Sequence, residues 1–511
     1  PGVVIVTSGP GATNTVTGIA TAYMDSVPLI VITAQVPRSV IGTDSFQESD
    51  IFGITLPIVK HSYLVQNVSE LAQTIAEAFH IAQTGRPGPV LIDVPADVAG
   101  ATCKFVYPCC VDISSYKPTV KGNAKQIKQA AEVLSSSKQP VLYVGGGAVI
   151  SDAKEEISSL VSLYDIPLVH TLMGIGVYPS DAPCNFGLVG MHGSKRANKA
   201  LNDADVIVAC GARFSDRVTG KLSEFALNAK VIHIDIDPVE ISKVRKADVP
   251  IVGDLKNVLD RLIAELKNKE TPLHFASPWA KSLEEVQNDA PCECKDTFIK
   301  PAIFMDALCD AIGKDCVVTT EVGQHQMWAA QHIKRYSPRM FLTSGGLGTM
   351  GFGFPAAIGA SLALGNKEVI CIAGDGSLLM NIQEMATAAT YNLPVKIVLM
   401  NNGGLGMVRQ WQRLFCDSRY SSVDFGKSPD FCAVAKGFGF TACRISLSDE
   451  IKSGIEVLLA SEGPALLEVE IPGDEDVYPI AVSLQGNAAK GELDGSVDFA
   501  VGAVGYIPDS K

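Results

Sequence analysis

VICIAGDGSLLMNIQEMATAATYNLPVKIVLMNN, residues 369–402, is the stretch that decides the fold. It opens on an apolar run at 369–373, turns at Gly374-Asp375-Gly376-Ser377 and continues through a helical stretch to about Tyr391. A second apolar run, 395–400, then delivers Asn401 and Asn402. Two such runs joined by a helical crossover form a βαβ unit with parallel strands. Asp375 and Asn402 then stand at the carboxyl ends of neighbouring strands, where open α/β sheets bind ligands. A carboxylate, an amide oxygen and a nearby backbone carbonyl are hard ligands that suit Mg²⁺, whose shell is often completed by phosphate. Gly374 and Gly376 let the backbone approach such phosphates, and a following helix start favours their charge. The Gly-Asp-Gly turn alone reads equally well as a strand-to-helix turn with an Asp cap. Its pairing with the two asparagines points to a diphosphate–Mg²⁺ site.

The same alternation runs outward in both directions. Strands are expected at 3–7, 29–33, 90–94, 141–144, 206–210, 231–235, 316–320 and 465–471, besides the two already named. Amphipathic helices lie between them. Ser69 is placed to cap one whose apolar face is Leu71, Ile75, Phe79 and Ala82, and Asn123 another with Ile127, Ala131 and Leu134. A third carries Ile303, Ala307 and Ala311. Residues 104–122 and 268–300 read as linkers, the second with prolines at 272, 278 and 291. The expected class is α/β with three domains, 1–103, 117–267 and 295–472, each a mainly parallel sheet covered by helices, followed by a loose tail at 473–511.

Composition narrows the function. The 511 residues carry a net charge of −13 and no basic cluster, which argues against nucleic acid as a partner. The 13 cysteines are odd in number and scattered, as in a reducing compartment, and a cytoplasmic location is expected. Cys292 and Cys294 form a pair without a second pair at zinc spacing. Residues 1–24 and 340–366 are free of charge, but the second holds seven glycines and a proline, so both read as buried loop-and-helix segments and no membrane is expected. The chain opens on Pro1 inside an apolar run and reads as lacking its true start.

Further motifs are TSGPGATN at 7–14, GRPGPV at 85–90, GARFSDRVTG at 211–220, GQHQ at 323–326, GGLGTMG at 345–351 and GMVRQW at 406–411. With the GDGS turn and the paired asparagines, these make the chain similar to the catalytic subunit of the acetohydroxyacid (acetolactate) synthase family of thiamine diphosphate enzymes. The likeness spans nearly all of residues 1–480. The second and third of these motifs separate that family from most other thiamine diphosphate enzymes.

The resemblance implies a pyrimidine-binding first domain, a central FAD-binding domain and a diphosphate-binding third domain. Gln324 and His325 are implied to reach the diphosphate, with Gly374, Gly376, Ser377 and Met407 around the cofactor. Met350 is implied as the apolar residue under the bent cofactor, and Asp375, Asn402 and the carbonyl of Gly404 as the holders of Mg²⁺. The central site is implied to use Gly145-Gly146-Gly147, Met191, His192, Arg213, Asp235 and Asp254, with Arg86 reaching it from the first domain. The flavin does no net redox work in this family. Arg217 is implied to bind the acceptor carboxylate through its bidentate fork, and Trp411 to wall the acceptor pocket. Gln35, Phe46 and Lys60 are implied to line the same cleft. The implied reaction decarboxylates pyruvate and joins the two-carbon unit to pyruvate or 2-ketobutyrate, the first common step towards valine, leucine and isoleucine. The implied assembly is a homodimer or tetramer with a small regulatory subunit.

The chain departs from the family in places. The family's activating glutamate precedes the TSGPG motif, but no glutamate precedes Glu48 here, so it is expected upstream of Pro1 and the chain as it stands is expected to be catalytically defective. Gly403-Gly404 follow Asn402 where bulkier residues are common, which is expected to loosen the metal loop. Ser215 stands where the family usually has Asp.

Overall fold

The protein is described by a computed structural model over residues 1–108, 110–286 and 297–480. Cys292, Cys294 and the tail from 481 lie outside the described residues. Three sheets carry the fold, and every strand pairing in them is parallel. The first runs β1-β2-β4-β3, from β1 (Gly2–Val6), β2 (Leu29–Gln35), β3 (His61–Leu64) and β4 (Pro89–Pro95). The second runs β10-β9-β8-β5-β6-β7, from β5 (Pro140–Val144), β6 (Leu168–His170), β7 (Asn185–Leu188), β8 (Val206–Cys210), β9 (Lys230–Asp235) and β10 (Val249–Val252). The third runs β12-β11-β13-β14-β16-β15, from β11 (Val317–Thr320), β12 (Phe341–Leu342), β13 (Val369–Gly374), β14 (Val395–Asn401), β15 (Thr441–Ile445) and β16 (Ala465–Glu470).

All ten expected strands are present. Central ones such as β4, β5, β8 and β13 bury every residue, as parallel strands covered on both faces must, and so read as unbroken apolar runs. The six unexpected strands are short, and five of them (β3, β7, β10, β12 and β15) are sheet edges. At an edge, partial exposure admits polar residues and breaks the apolar run.

Helix details differ from expectation in three places. Asn123 does cap the Ala124–Ser135 helix, accepting from the amides of Lys125 and Gln126. Ser69 caps nothing: it sits in a short 3₁₀ turn, Val68–Glu70, and Glu70 holds the cap position of the Leu71–Gln83 helix. The Pro301–Ala311 helix buries Phe304, Met305 and Leu308 most deeply, while Ile303 and Ala307 of the expected stripe pack against the same core partly buried and Ala311 is exposed. The stretch read as a linker at 268–300 contains the Ser277–Glu284 helix, whose Trp279 and Leu283 enter the apolar core against Val141, Val169 and Ile207.

Residues 1–120 with 344–349 form one compact unit, and 121–343 with the residues from 350 onward form a second. The second unit holds the middle and third sheets. Ser180 Oγ donates to the Arg335 carbonyl at 2.9 Å, and Lys154 Nζ to the Tyr336 carbonyl at 3.1 Å. Among the described residues no helix is long and apolar enough to cross a membrane.

Candidate active site

The third sheet reverses its winding between β11 and β13, which opens a crevice at their carboxyl ends. A cleft lies there, lined by Gly323, Gln324, His325, Met350, Gly374–Ser377, Asn402 and Gly404–Val408. Gln324, His325, Gly374, Gly376, Ser377, Met350, Met407, Asp375, Asn402 and Gly404, expected from motifs spread over 84 residues, share this one cleft. Trp328, Leu405 and Ile471 complete its wall. They had no sequence signal beyond ordinary apolar periodicity.

Asp375 is buried at the start of a short turn after β13. Its Oδ1 accepts from the Gly376 amide at 2.7 Å and its Oδ2 from the Gly404 amide at 3.0 Å. Burial nevertheless pushes its carboxyl up to about 6, so this anion lacks a compensating positive charge. Asn402 Oδ1 accepts from the same Gly404 amide at 3.2 Å, which brings both oxygens to one point of the loop. Asn402 Nδ2 donates to Gln324 Oε1 at 3.1 Å, which turns Oδ1 toward the Gly404 amide. Gln324 Nε2 in turn donates to Gln410 Oε1 and to the Glu475 carbonyl. Gln324 thus lines the cleft and links Asn402 to Gln410 and the Glu475 main chain. Gln410, buried and held at both ends by the Val477 backbone, was missed because a helical glutamine has no signature.

Hydrogen bonds tie the Gly403-Gly404 loop to Asn401, Asn402 and Asp375. Gly403 has φ +72°, where glycine is at ease, and its amide donates to Asn401 Oδ1 at 3.1 Å. A Cβ on Gly404 would stand 2.4 Å from the Val423 carbonyl oxygen, so glycine is what lets this strand pair with 423–425.

The residues fit a magnesium diphosphate. His325 Nε2 is buried without a hydrogen-bond partner, while the ring bonds the Glu321 main-chain carbonyl. Burial pushes this imidazole down to about 3. An orphaned polar atom at the wall of a phosphate-sized cleft calls for a ligand. Side chains on Gly374 or Gly376 would collide with His325, Leu405 and Phe425 at 2.6–2.9 Å, so the cradle requires both glycines.

Arg217 and Trp411 meet. The guanidinium carbon lies 5.7 Å from the indole centroid, a cation–π contact. Ser215 caps the short Asp216–Thr219 turn, accepting from the Arg217 amide, so serine does here what aspartate can do elsewhere. Gly190 packs against the Arg217 carbonyl, and the Met191 amide donates to that carbonyl at 2.8 Å. His192 Nδ1 faces the Pro479 carbonyl at 3.3 Å, and burial pushes it down to about 4. Gln331, near the end of the Gln324–His332 helix, donates to the carbonyls of His192 and Tyr478.

The middle sheet also reverses its winding, between β5 and β8. Gly145 and Gly147 follow β5, and Gly211 and Arg213 follow β8. A Cβ on Gly145 or Gly147 would meet the Gly211 backbone at 2.4–2.7 Å, so these glycines close the two turns upon each other. Gly146 instead packs on Met173. Asp235 ends β9 and accepts from the Asp237 amide. Buried Tyr143 Oη and His233 Nδ1 have no partner. The point of reversal is where open α/β sheets bind ligands. Asp254 caps the Leu255–Asn268 helix through the amide and side chain of Asn257.

Four expected residues belong to the first unit. Lys60 donates its ammonium to the carbonyls of Ile81 and Thr84 and to Tyr116 Oη, sealing the end of the Leu71–Gln83 helix. Gln35 is buried, and its amide nitrogen bonds Asp93 Oδ2 and the Ser49 carbonyl. Phe46 is 87% exposed. Arg86 Nε donates to Ser26 Oγ at 2.9 Å.

Comparison with known proteins agrees with this geometry. Three family models match, described as the thiamine pyrophosphate enzyme N-terminal TPP binding domain (residues 1–54), central domain (127–262) and C-terminal TPP binding domain (321–469). The chain is 48% identical to a probable acetolactate synthase large subunit of Methanocaldococcus jannaschii, over 92% of the chain and 81% of the relative. It is 46% identical to the acetolactate synthase of Mycobacterium leprae, over 94% and 79%. It is 47% identical to the acetolactate synthase large subunit of Pyropia yezoensis, over 95% and 83%. With its cleft assembled at the third-sheet switch point, the chain belongs to the acetolactate synthase large-subunit family of thiamine pyrophosphate enzymes.

Proposed function

We propose that this chain is a transferase that decarboxylates pyruvate and joins the two-carbon unit to a second 2-keto acid. Pyruvate as acceptor gives acetolactate, and 2-ketobutyrate gives acetohydroxybutyrate. The observation that carries the reading is the convergence of Asp375, Asn402, Gly404 and the orphaned His325 Nε2 on one cleft. Bound thiamine diphosphate supplies the electron sink for loss of CO₂. Asp375 and Asn402, with the Gly404 carbonyl, hold Mg²⁺ as hard oxygen donors. Met350 supports the cofactor from the cleft wall. Arg217 binds the acceptor carboxylate, and Trp411 packs on the acceptor's extra methyl. Arg213, Asp235, Met191 and His192 hold FAD, which has a structural role. The working form is a homodimer or tetramer in the cytoplasm, joined by a small regulatory subunit.

The test is to express the protein from its complete reading frame and incubate it with thiamine diphosphate, Mg²⁺, FAD and pyruvate. Acetolactate is expected. Acetate with peroxide, or tartronate semialdehyde from glyoxylate, in place of acetolactate overturns the reading.

A further inference from the structure

We propose that Glu321 positions the Met350 platform, a role that rests on the thiamine diphosphate reading above. Glu321 follows β11 and is fully buried, yet no cation faces its carboxylate among its principal interactions. Its partners are main-chain amides. Oε2 accepts from the Gly351 amide at 2.6 Å and Oε1 from the Phe354 amide at 2.9 Å, and the amides of Phe352 and Gly353 between them add to the field that favours its charged form.

These four amides belong to the turn that opens the Gly353–Ala363 helix, and that helix has no side-chain cap of its own. The first amides of a helix lack internal partners. Glu321 supplies the missing acceptors from a neighbouring strand, and a carboxylate at a helix start also meets the favourable end of its dipole. The turn is held on other sides as well. Asn381 Nδ2 donates to the Gly351 carbonyl at 2.6 Å, and Thr319 Oγ1 to the Gly353 carbonyl at 2.9 Å. Gly353 has no room for a side chain, since a Cβ would stand 2.4 Å from the Glu321 amide.

Met350 is the residue immediately before this turn. Its side chain lines the cleft and is half-buried, so its own packing cannot fix it fully. The anchored turn, joined to it directly along the chain, fixes its backbone. The Glu321 main chain joins the same junction, with its amide on the Ile372 carbonyl and its carbonyl on His325. Only the side chain of Glu321 serves the Met350 turn, which makes the two functions separable by substitution.

The test titrates the full chain with Mg²⁺ and two ligands by calorimetry. Thiamine diphosphate engages both ends of the cleft, and inorganic diphosphate only the phosphate end. In Glu321→Gln an amide group faces amide donors. Thiamine diphosphate is expected to bind about tenfold more weakly or worse, while inorganic diphosphate stays within about twofold. In a Met350→Ala background the same change is expected to alter thiamine diphosphate binding by less than about twofold, because the group it positions is gone. Equal weakening of both ligands, no weakening of either, or an undiminished effect beside Met350→Ala overturns the proposal. If Glu321→Gln does not fold, Glu321→Asp, which withdraws the carboxylate by one methylene, carries the same titrations. A native chain that binds inorganic diphosphate but not thiamine diphosphate refutes the cofactor reading itself, an outcome distinct from all of these.

Discussion

Gly406 opens the Gly406–Phe415 helix beside the metal loop, and Gly406→Ala separates the stability of the fold from the competence of the site. An added Cβ would stand 2.0 Å from Gln324 Oε1 and 2.3 Å from Asn402 Nδ2. Both atoms are the ends of side chains, so they can swing aside and the backbone need not move. Alanine is also a better helix residue than glycine by ~0.5–1 kcal/mol, so the melting temperature should hold or rise slightly. What the methyl destroys is the 3.1 Å hydrogen bond between those two atoms, which leaves Asn402 without its orienting partner. A hydrogen bond of this kind is worth ~0.5–1.5 kcal/mol net, about what the helix gain offsets in the fold, and an Asn402 no longer oriented should lose about 2- to 12-fold in affinity. Calorimetric titration with Mg²⁺ and thiamine diphosphate should show that loss with unfolding unchanged. Affinity within about twofold of the native protein would refute the idea that Gln324 acts by orienting Asn402.

Three further outcomes are expected. Asp93 is buried between Thr33 and Gln35, and burial pushes its carboxyl up from 3.8 to about 6. The folded state therefore holds this proton more tightly than the unfolded one, and stability falls as pH rises from about 4 to about 6, by up to about 3 kcal/mol. Denaturant unfolding across that range should show this slope, and Asp93→Asn should flatten it. Trp411→Ala removes the wall that packs on an acceptor's extra methyl and should cut the preference for 2-ketobutyrate over pyruvate by up to about 150-fold, read from mixed-substrate product ratios, since a methylene is worth ~1–3 kcal/mol. Trp279→Ala empties a site in the middle core and should cost ~3–5 kcal/mol in urea unfolding, whereas a true linker residue would cost almost nothing.

The central strands were legible because burial on both faces leaves nothing but apolar residues to read. The edge strands and the Ser277–Glu284 helix were not, since partial exposure and flanking prolines break the pattern that reveals them. The cleft was legible where chemistry demands a residue type. Asp375 and Asn402 are metal donors by nature, and Gly374 and Gly376 are required by the close approach of His325, Leu405 and Phe425. Residues that act by holding others were invisible: Gln410, which ties Gln324 to the Val477 main chain, carries no signature in a helical run. The hydrogen bond from Asn402 to Gln324 and the hold of Lys60 on a helix end likewise show only in three dimensions. Gly403-Gly404 read as a weakness, since a sequence displays glycine's freedom but not the φ of +72° or the strand pairing that uses it.

The Gln324–His332 helix begins at the diphosphate cleft and ends on the middle domain, where Gln331 donates to the carbonyls of His192 and Tyr478. Its two ends are thus parts of one ordered body. A ligand that stills the first turn leaves less freedom to be lost at the last, so a second ligand at the far end meets a helix already ordered. The two occupancies then favour each other with no shift in mean coordinates and no electron passing between them. The FAD proposed above would then have a thermodynamic task, which is to narrow the ensemble from which the cleft is drawn.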